Sequence, residues 1–266
     1  MLLQGKKLLL TGVLTPQSIA FAVAEHAQAQ GAELLLTSFG RPMSLTQRTA
    51  KKLPTVPEVL ELDVTNPEHF PALREAVRQR WGRLDGVLHA VAYAPEDALG
   101  GKFLTTPWES VQQAFRVSTF SLKELAAALA PLMDQGGGIV TLDFDNSTQA
   151  WPIYDWMGVC KAGLEATVRY LARDLGPKKI RVNALAAGPI ATIAAKGIPG
   201  FKHLEAKWGR QAPLGWDAKS DACVDAVART ACVLFSDWMP ATTGELIRVD
   251  GGFHAMGAEP VLPGDV

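Results

Sequence analysis

Tyr154 and Lys161 are the side chains in this sequence whose types and spacing most directly suggest chemistry. They bracket the stretch Tyr154-Asp-Trp-Met157-Gly-Val-Cys-Lys161. A seven-residue step is nearly two helical turns, so in a helix both side chains leave the same face. An ammonium beside a phenol lowers the phenol's pKa from its usual value near ~10. Such a phenol can donate a hydrogen bond or a proton to a carbonyl oxygen on which charge develops. An ordinary amphipathic helix whose Tyr and Lys merely snorkel gives the same spacing, so the surroundings must decide.

Those surroundings alternate short apolar runs with longer segments of helical period. Strands are expected at Lys7–Val13, Ala32–Ser38, Glu58–Leu62, Gly86–Val91, Gly138–Asp143, Arg181–Leu185 and Glu245–Val249. Helices are expected at Ser18–Gln30, Pro67–Trp81, Pro107–Met133, Tyr154–Leu175 and Ala218–Ser236. The strands read as continuous Leu/Val/Ile runs, as buried parallel strands do. Regular alternation implies an α/β fold, a doubly wound parallel sheet of about seven strands covered on both faces. Residues 1–266 read as a single domain. Its least regular stretch, Gly188–Gly200 and on to Trp216, makes a substrate lid around residues 192–216. The tail Glu259–Val266 carries two prolines and is expected to hang loose.

The first strand runs into Thr11-Gly12-Val13, and Pro16-Gln-Ser18-Ile19-Ala20 opens a helix. A strand, a tight turn and a helix N-terminus make a phosphate cradle. Only Gly12 stands where three glycines would complete a dinucleotide fingerprint, so a plain turn with a Ser cap explains the stretch equally well. After the second strand comes Ser38-Phe39-Gly40-Arg41, with no ribose-reading acid. Phe39 can stack on adenine, and Arg41 would tolerate a 2′-phosphate. Asp63 and Val64 are placed to meet the adenine ring, although capping also accounts for Asp63. After the fourth strand, small residues including Ala92 let backbone approach a ligand closely, while His89 reads as a core histidine.

The series from Gly12 through Tyr154 and Lys161 to Arg181-Val-Asn183, Gly188-Pro189-Ile190 and Val249-Asp250-Gly251-Gly252-Phe253 resembles the short-chain dehydrogenase/reductase superfamily. The segments SIAFAVA, LDV, DFD, YDWMGVCKA, AAGPIAT and SDWMPATTGE are similar to its divergent enoyl-acyl-carrier-protein reductases, most of all the mycobacterial ones. Ser18-Ile19 in place of a third glycine, six residues between Tyr154 and Lys161, and the aromatic Phe144 ten residues before Tyr154 carry that resemblance. It implies NADH-dependent reduction of a trans-2-enoyl thioester, with NADPH also admissible. Tyr154 would stabilise an enolate oxygen and Lys161 would hold the cofactor ribose. Gly12, Ser18, Ile19, Asp63, Val64, Val91, Ile190 and Thr192 match cofactor-contacting positions, and Tyr93, Ala94, Phe144, Met157 and the Ala194–Ile198 segment match an acyl-chain pocket. The resemblance further implies delivery by acyl carrier protein and a homotetramer, which apolar Cys232–Met239 with Phe253 would line.

The match is imperfect in places. Phe144 stands where many members have tyrosine, so no proton relay runs through it. Ala191 replaces an arginine, and Ala90 and Ala92 replace a serine and a glycine. The stretch from Ile198 to Trp216 is shorter than in the mycobacterial members, which implies medium-to-long rather than very long acyl chains. Two other readings stand beside this one. A ketoacyl or carbonyl reductase would need a hydroxyl donor, for which Thr141 is the candidate. A dinucleotide-sensing scaffold would have lost catalysis.

Composition narrows the field further. With 26 Lys+Arg against 27 Asp+Glu, the net charge of -1 supplies no field for nucleic acid or anionic membranes. The N-terminus lacks a signal-type apolar run and no segment is long enough to span a bilayer. Cys160, Cys223 and Cys232 are too few and too scattered for a disulfide framework or a zinc site. They read as buried small hydrophobes in a reducing cytoplasm.

Overall fold

In a computed structural model of the chain, residues 1–144 and 148–259 are described. Seven parallel strands form one sheet: β1 Lys7–Leu10, β2 Glu33–Ser38, β3 Glu58–Glu61, β4 Gly86–His89, β5 Gly137–Asp143, β6 Ile180–Ala187 and β7 Leu246–Val249. Their order is β3-β2-β1-β4-β5-β6-β7. All seven expected strands are present, and the parallel register follows from their Leu/Val-rich runs: Leu8, Leu9 and Leu10 face Leu34, Leu35 and Leu36 across β1 and β2.

Helices cover both faces, giving a Rossmann-type doubly wound arrangement. On one face α1 (Ile19–Ala29) packs against α9 (Asp221–Phe235) over β1, β2 and β4, through Phe21, Val23, Ala24, Val227, Ala231 and Phe235. On the other, α3 (His69–Trp81), α5 (Ser121–Leu129) and α6 (Asp155–Leu175) bury Leu73, Val77, Leu122, Leu125, Leu164 and Val168. The chain reverses direction across the sheet between β1 and β4. Ligands of such folds bind in the crevice at that switch point, outside the carboxyl ends of the strands.

Three expectations need correction. A short helix, α2 (Pro42–Ala50), follows β2 in a stretch too polar to show an apolar face; Pro42 at its first turn was the available signal. The long helix expected over 107–133 is broken into α4 (Trp108–Phe115), a π-turn (Arg116–Phe120), α5 and a closing 3₁₀ turn. The lid stretch is less irregular than its Gly and Pro content suggested, for it contains α7 (Ile193–Lys196) and α8 (Phe201–Gln211). Of the tail, Glu259 is tied to Arg210 at 2.8 Å, and residues 260–266 lie outside the described residues, as does Asp145 of the DFD segment. Cys160 and Cys232 are buried and free, whereas Cys223 is only half-buried. Cys232, Leu234 and Phe235 pack in the core and not on a subunit surface.

Candidate active site

A cavity of about 570 Å³ opens at the carboxyl ends of β1 to β4, at the switch point. Gly12 turns the chain out of β1 at φ 79°, and a Cβ there would run into the carbonyl oxygen of Ala90 after β4. Only glycine permits that approach. Ser18 caps α1: its hydroxyl accepts from Phe21 N at 3.2 Å and donates to the Thr15 carbonyl at 2.8 Å. The first N–H groups of a helix lack partners within it, and here they belong to Ile19 and Ala20, which line the cavity.

Phe39, partly exposed, stands on the β2 side of the cavity, with Asp63 and Val64 beyond β3. Asp63 Oδ1 accepts from Thr65 N and Thr65 Oγ1, which caps a turn and not a helix. Val91, Ala92 and Tyr93 follow β4, and Thr192 and Ala194 reach in from the start of α7. Thr192 caps α7, its hydroxyl accepting from Ala195 N at 3.1 Å. Ile190 is buried beside this wall and does not line the cavity. Orphan helix N–H groups, a flat aromatic at one end and a buried ammonium at the other suit a dinucleotide.

That ammonium is Lys161. Its Nζ donates to the Leu142 carbonyl at 2.8 Å and lies 3.8 Å from Asp143 Oδ1, both side chains being buried. Tyr154 sits at the N-terminal cap of α6, and the buried face runs Tyr154, Met157, Lys161, Leu164. The same-face expectation holds. Asp155, one residue on, has φ 40°, a strained left-handed value. Its carboxylate compensates by accepting from Gly101 N at 2.6 Å and Lys102 N at 2.9 Å.

The expected pKa direction for Tyr154 is reversed. Burial first, then the Asp143 charge, hold its phenol well above the ordinary tyrosine range. Burial also lowers the Lys161 ammonium, against the upward pull of Asp143. The phenol is therefore a firmly protonated donor. The sequence places Asp143 at the end of the fifth strand without showing its charge partner, although a lysine on a buried helix face calls for a buried counter-charge.

The expected acyl pocket is divided. Tyr93 and Ala194 line the open cavity, while Ala94, Phe144, Met157 and Ile198 belong to an apolar cluster around Tyr154. Trp151, Trp208 and Phe253 complete that cluster. Phe253, expected at a subunit interface, is instead buried in this cluster, and nothing periodic in the sequence links it to Trp151 and Trp208. The π-turn, equally invisible in the sequence, aims two hydroxyls at the site walls. Ser118 Oγ accepts from Tyr93 N and donates to Tyr93 O, both at 2.9 Å, and Thr119 Oγ1 donates to Cys160 O at 2.7 Å.

His89 and Thr141 are occupied with each other. His89 Nδ1 meets Thr141 Oγ1, and Nε2 meets Ser121 Oγ, each at 2.8 Å. Burial lowers the His89 pKa to about 3, with the nearby Lys161 charge adding to it. His89 is a neutral core histidine as expected, and Thr141 offers no hydroxyl to a substrate beside Tyr154. Among the described residues no cluster of His, Cys, Asp and Glu is arranged to hold a metal, and no helix is long and apolar enough to cross a membrane.

Comparison with known proteins identifies the family. An enoyl-(acyl carrier protein) reductase family model matches residues 12–254. The NADH enoyl-acyl-carrier-protein reductase of Mycolicibacterium smegmatis is 43% identical over 265 residues, covering 94% of this chain and 97% of the relative. The enzyme of the same name from Rickettsia felis is 38% identical over 257 residues, 97% of each chain. That of Aquifex aeolicus is 37% identical, over 96% of this chain and 94% of its own. From Gly12 at the switch point to the last turns after β7, this chain belongs to the enoyl-acyl-carrier-protein reductase family.

Proposed function

We propose that this chain reduces the 2,3 double bond of trans-2-enoyl thioesters carried on acyl carrier protein, in fatty acid biosynthesis. The observation that carries the reading is a protonated phenol, Tyr154, and a buried ammonium, Lys161, on one helix face beside a dinucleotide-sized cleft. NADH supplies the hydride, which goes to the β-carbon of the thioester. Negative charge then moves to the thioester oxygen, where the Tyr154 hydroxyl donates a hydrogen bond to it. A proton taken up from solvent at the α-carbon completes the saturated product.

Lys161 has three donor hydrogens. One is spent on the Leu142 carbonyl, and the others serve the cofactor ribose. Gly12, Ser18 and Ile19 take the pyrophosphate, Phe39, Asp63 and Val64 the adenosine, and Val91, Ala92 and Thr192 the nicotinamide end, with Ile190 packed behind that wall. Ala94, Phe144, Met157 and Ile198 surround the acyl group, with Tyr93 and Ala194 at its open rim. The relatives' names support NADH. Arg41, exposed after β2, is where acceptance of NADPH would originate.

Residues 1–266 act as one unit with α7 and α8 as its lid, and the free cysteines suit a reducing cytoplasm. A homotetramer is supported by aromatic surface on α4, the π-turn and α6, where Phe115, Phe120 and Tyr170 are 41%, 47% and 62% exposed. Light scattering on the eluted protein tests it.

For the reaction, the test is NADH and NADPH oxidation with crotonyl and acetoacetyl thioesters side by side. Turnover of crotonyl thioester with NADH is the expected result. Preference for acetoacetyl thioester would replace this reading with a carbonyl reductase.

A further inference from the structure

The space behind Tyr154 is filled by rings brought together from distant parts of the chain. Phe144 lies 5.2 Å from Tyr154, centroid to centroid. Behind it, Trp151 and Trp208 are 5.3 and 5.4 Å from Phe144. Phe253 then stacks on Trp208 at 3.7 Å, with the planes 11° apart. The void among these rings is about 10 Å³, room for roughly one water. The buried indole N–H of Trp208 finds no partner among the described residues, so ring packing here outweighs an unmet hydrogen bond. On the outer side, Lys207 Nζ sits 5.3 Å from the Trp151 ring and 5.6 Å from Phe253, closing the stack with a cation.

We infer that Trp151, Trp208 and Phe253 form a wall that ends the path of the acyl chain and restricts this protein to short enoyl thioesters. The inference rests on the enoyl reductase reading above. With the carbonyl oxygen on Tyr154, the carrier end of the substrate leaves by the open rim, where Tyr93 is exposed. The acyl tail then points to the buried side of Tyr154, which is Phe144 and the rings behind it. The helix α8 supplies one of these rings, since Trp208 is among its buried residues. The packing thus points to shorter chains than the length of the lid alone suggested. Burying a methylene ordinarily improves binding by about fourfold, and a wall withdraws that gain beyond the first few carbons.

The test is the ratio of kcat/KM for dodecenoyl to crotonyl thioester, measured with NADH for the wild type, Phe253→Ala and Trp151→Leu. The wild-type ratio is expected below unity. Each variant should raise it by at least about 10-fold, the effect of admitting roughly two further methylenes. Melting curves establish that the variants are folded, and if Phe253→Ala is not, Trp151→Leu decides. A wild type that already favours dodecenoyl thioester, or a ratio unmoved in a folded variant, overturns the wall. Absence of NADH oxidation with every thioester overturns the enoyl reductase reading itself.

Discussion

Replacing Asp143 with asparagine tests the electrostatic design of the site. Asp143 Oδ1 lies 3.8 Å from Lys161 Nζ, and the two side chains are 0% and 7% exposed. At an effective dielectric constant of ~20, charges so placed attract by about 4 kcal/mol. Removing one partner of a buried pair costs roughly 3–5 kcal/mol, because the other charge is left unmatched. Burial already lowers the Lys161 pKa and Asp143 pulls it back up. In Asp143→Asn the ammonium therefore loses its proton at a lower pH than in the wild type. The alkaline limb of kcat/KM for NADH should move to lower pH. If a third of the pair's attraction is expressed in cofactor binding, kcat/KM falls on the order of 10-fold on that limb. The same charge also holds the Tyr154 phenol up, so its loss makes the tyrosine easier to ionise, in the same pH direction. Asp143→Glu, which restores the charge, should recover much of the profile. Steady-state kinetics across the alkaline range provide the assay. An alkaline limb that stays in place in folded Asp143→Asn would refute the argument, since a merely structural carboxylate would lower the melting temperature and leave the profile unmoved.

Other residues give independent expectations. Tyr154→Phe should lower kcat by about 10²-fold or more with little change in NADH affinity, since it removes a donor that acts on developing charge; unchanged turnover would end the proposed mechanism. Gly12→Ala forces a Cβ against the Ala90 carbonyl at φ 79°. It should cost about 2 kcal/mol or more in strain, lowering the melting temperature by roughly 5 °C and weakening NADH binding in a titration. His89 has a folded pKa of about 3 against an ordinary 6.5, so the unfolded chain takes up a proton that the folded chain refuses. Its contribution is intact above pH 6.5 and erodes as pH falls toward 3, by roughly 2 kcal/mol at pH 5. Denaturant titrations of wild type and His89→Gln should show the mutant losing less stability over that interval.

The parts of this protein that could be read in its sequence are those set by local pattern. Parallel strands buried on both faces leave Leu8-Leu9-Leu10 and Val87-Leu88 as bare apolar runs, and the α6 face that pairs Tyr154 with Lys161 is a matter of helical period. Strand ends were less legible. The apolar run continues to Val13, but Gly12 takes a positive φ and β1 stops at Leu10. What could not be read was set by contacts between distant residues. Asp143 looks like the polar end of a strand until Lys161 is seen to bury its charge beside it. The π-turn leaves no trace in periodicity, yet it turns Ser118 and Thr119 toward the two walls of the site. The pKa of Tyr154 shows most clearly why pattern alone falls short. A neighbouring lysine argues for a lower value, whereas burial among aromatic rings and the Asp143 charge raise it. The sign of such a balance depends on desolvation and on a third charge, and both are properties of the assembled fold. A tyrosine held in its protonated form is a hydrogen-bond donor and not a base, as stabilising an enolate oxygen requires.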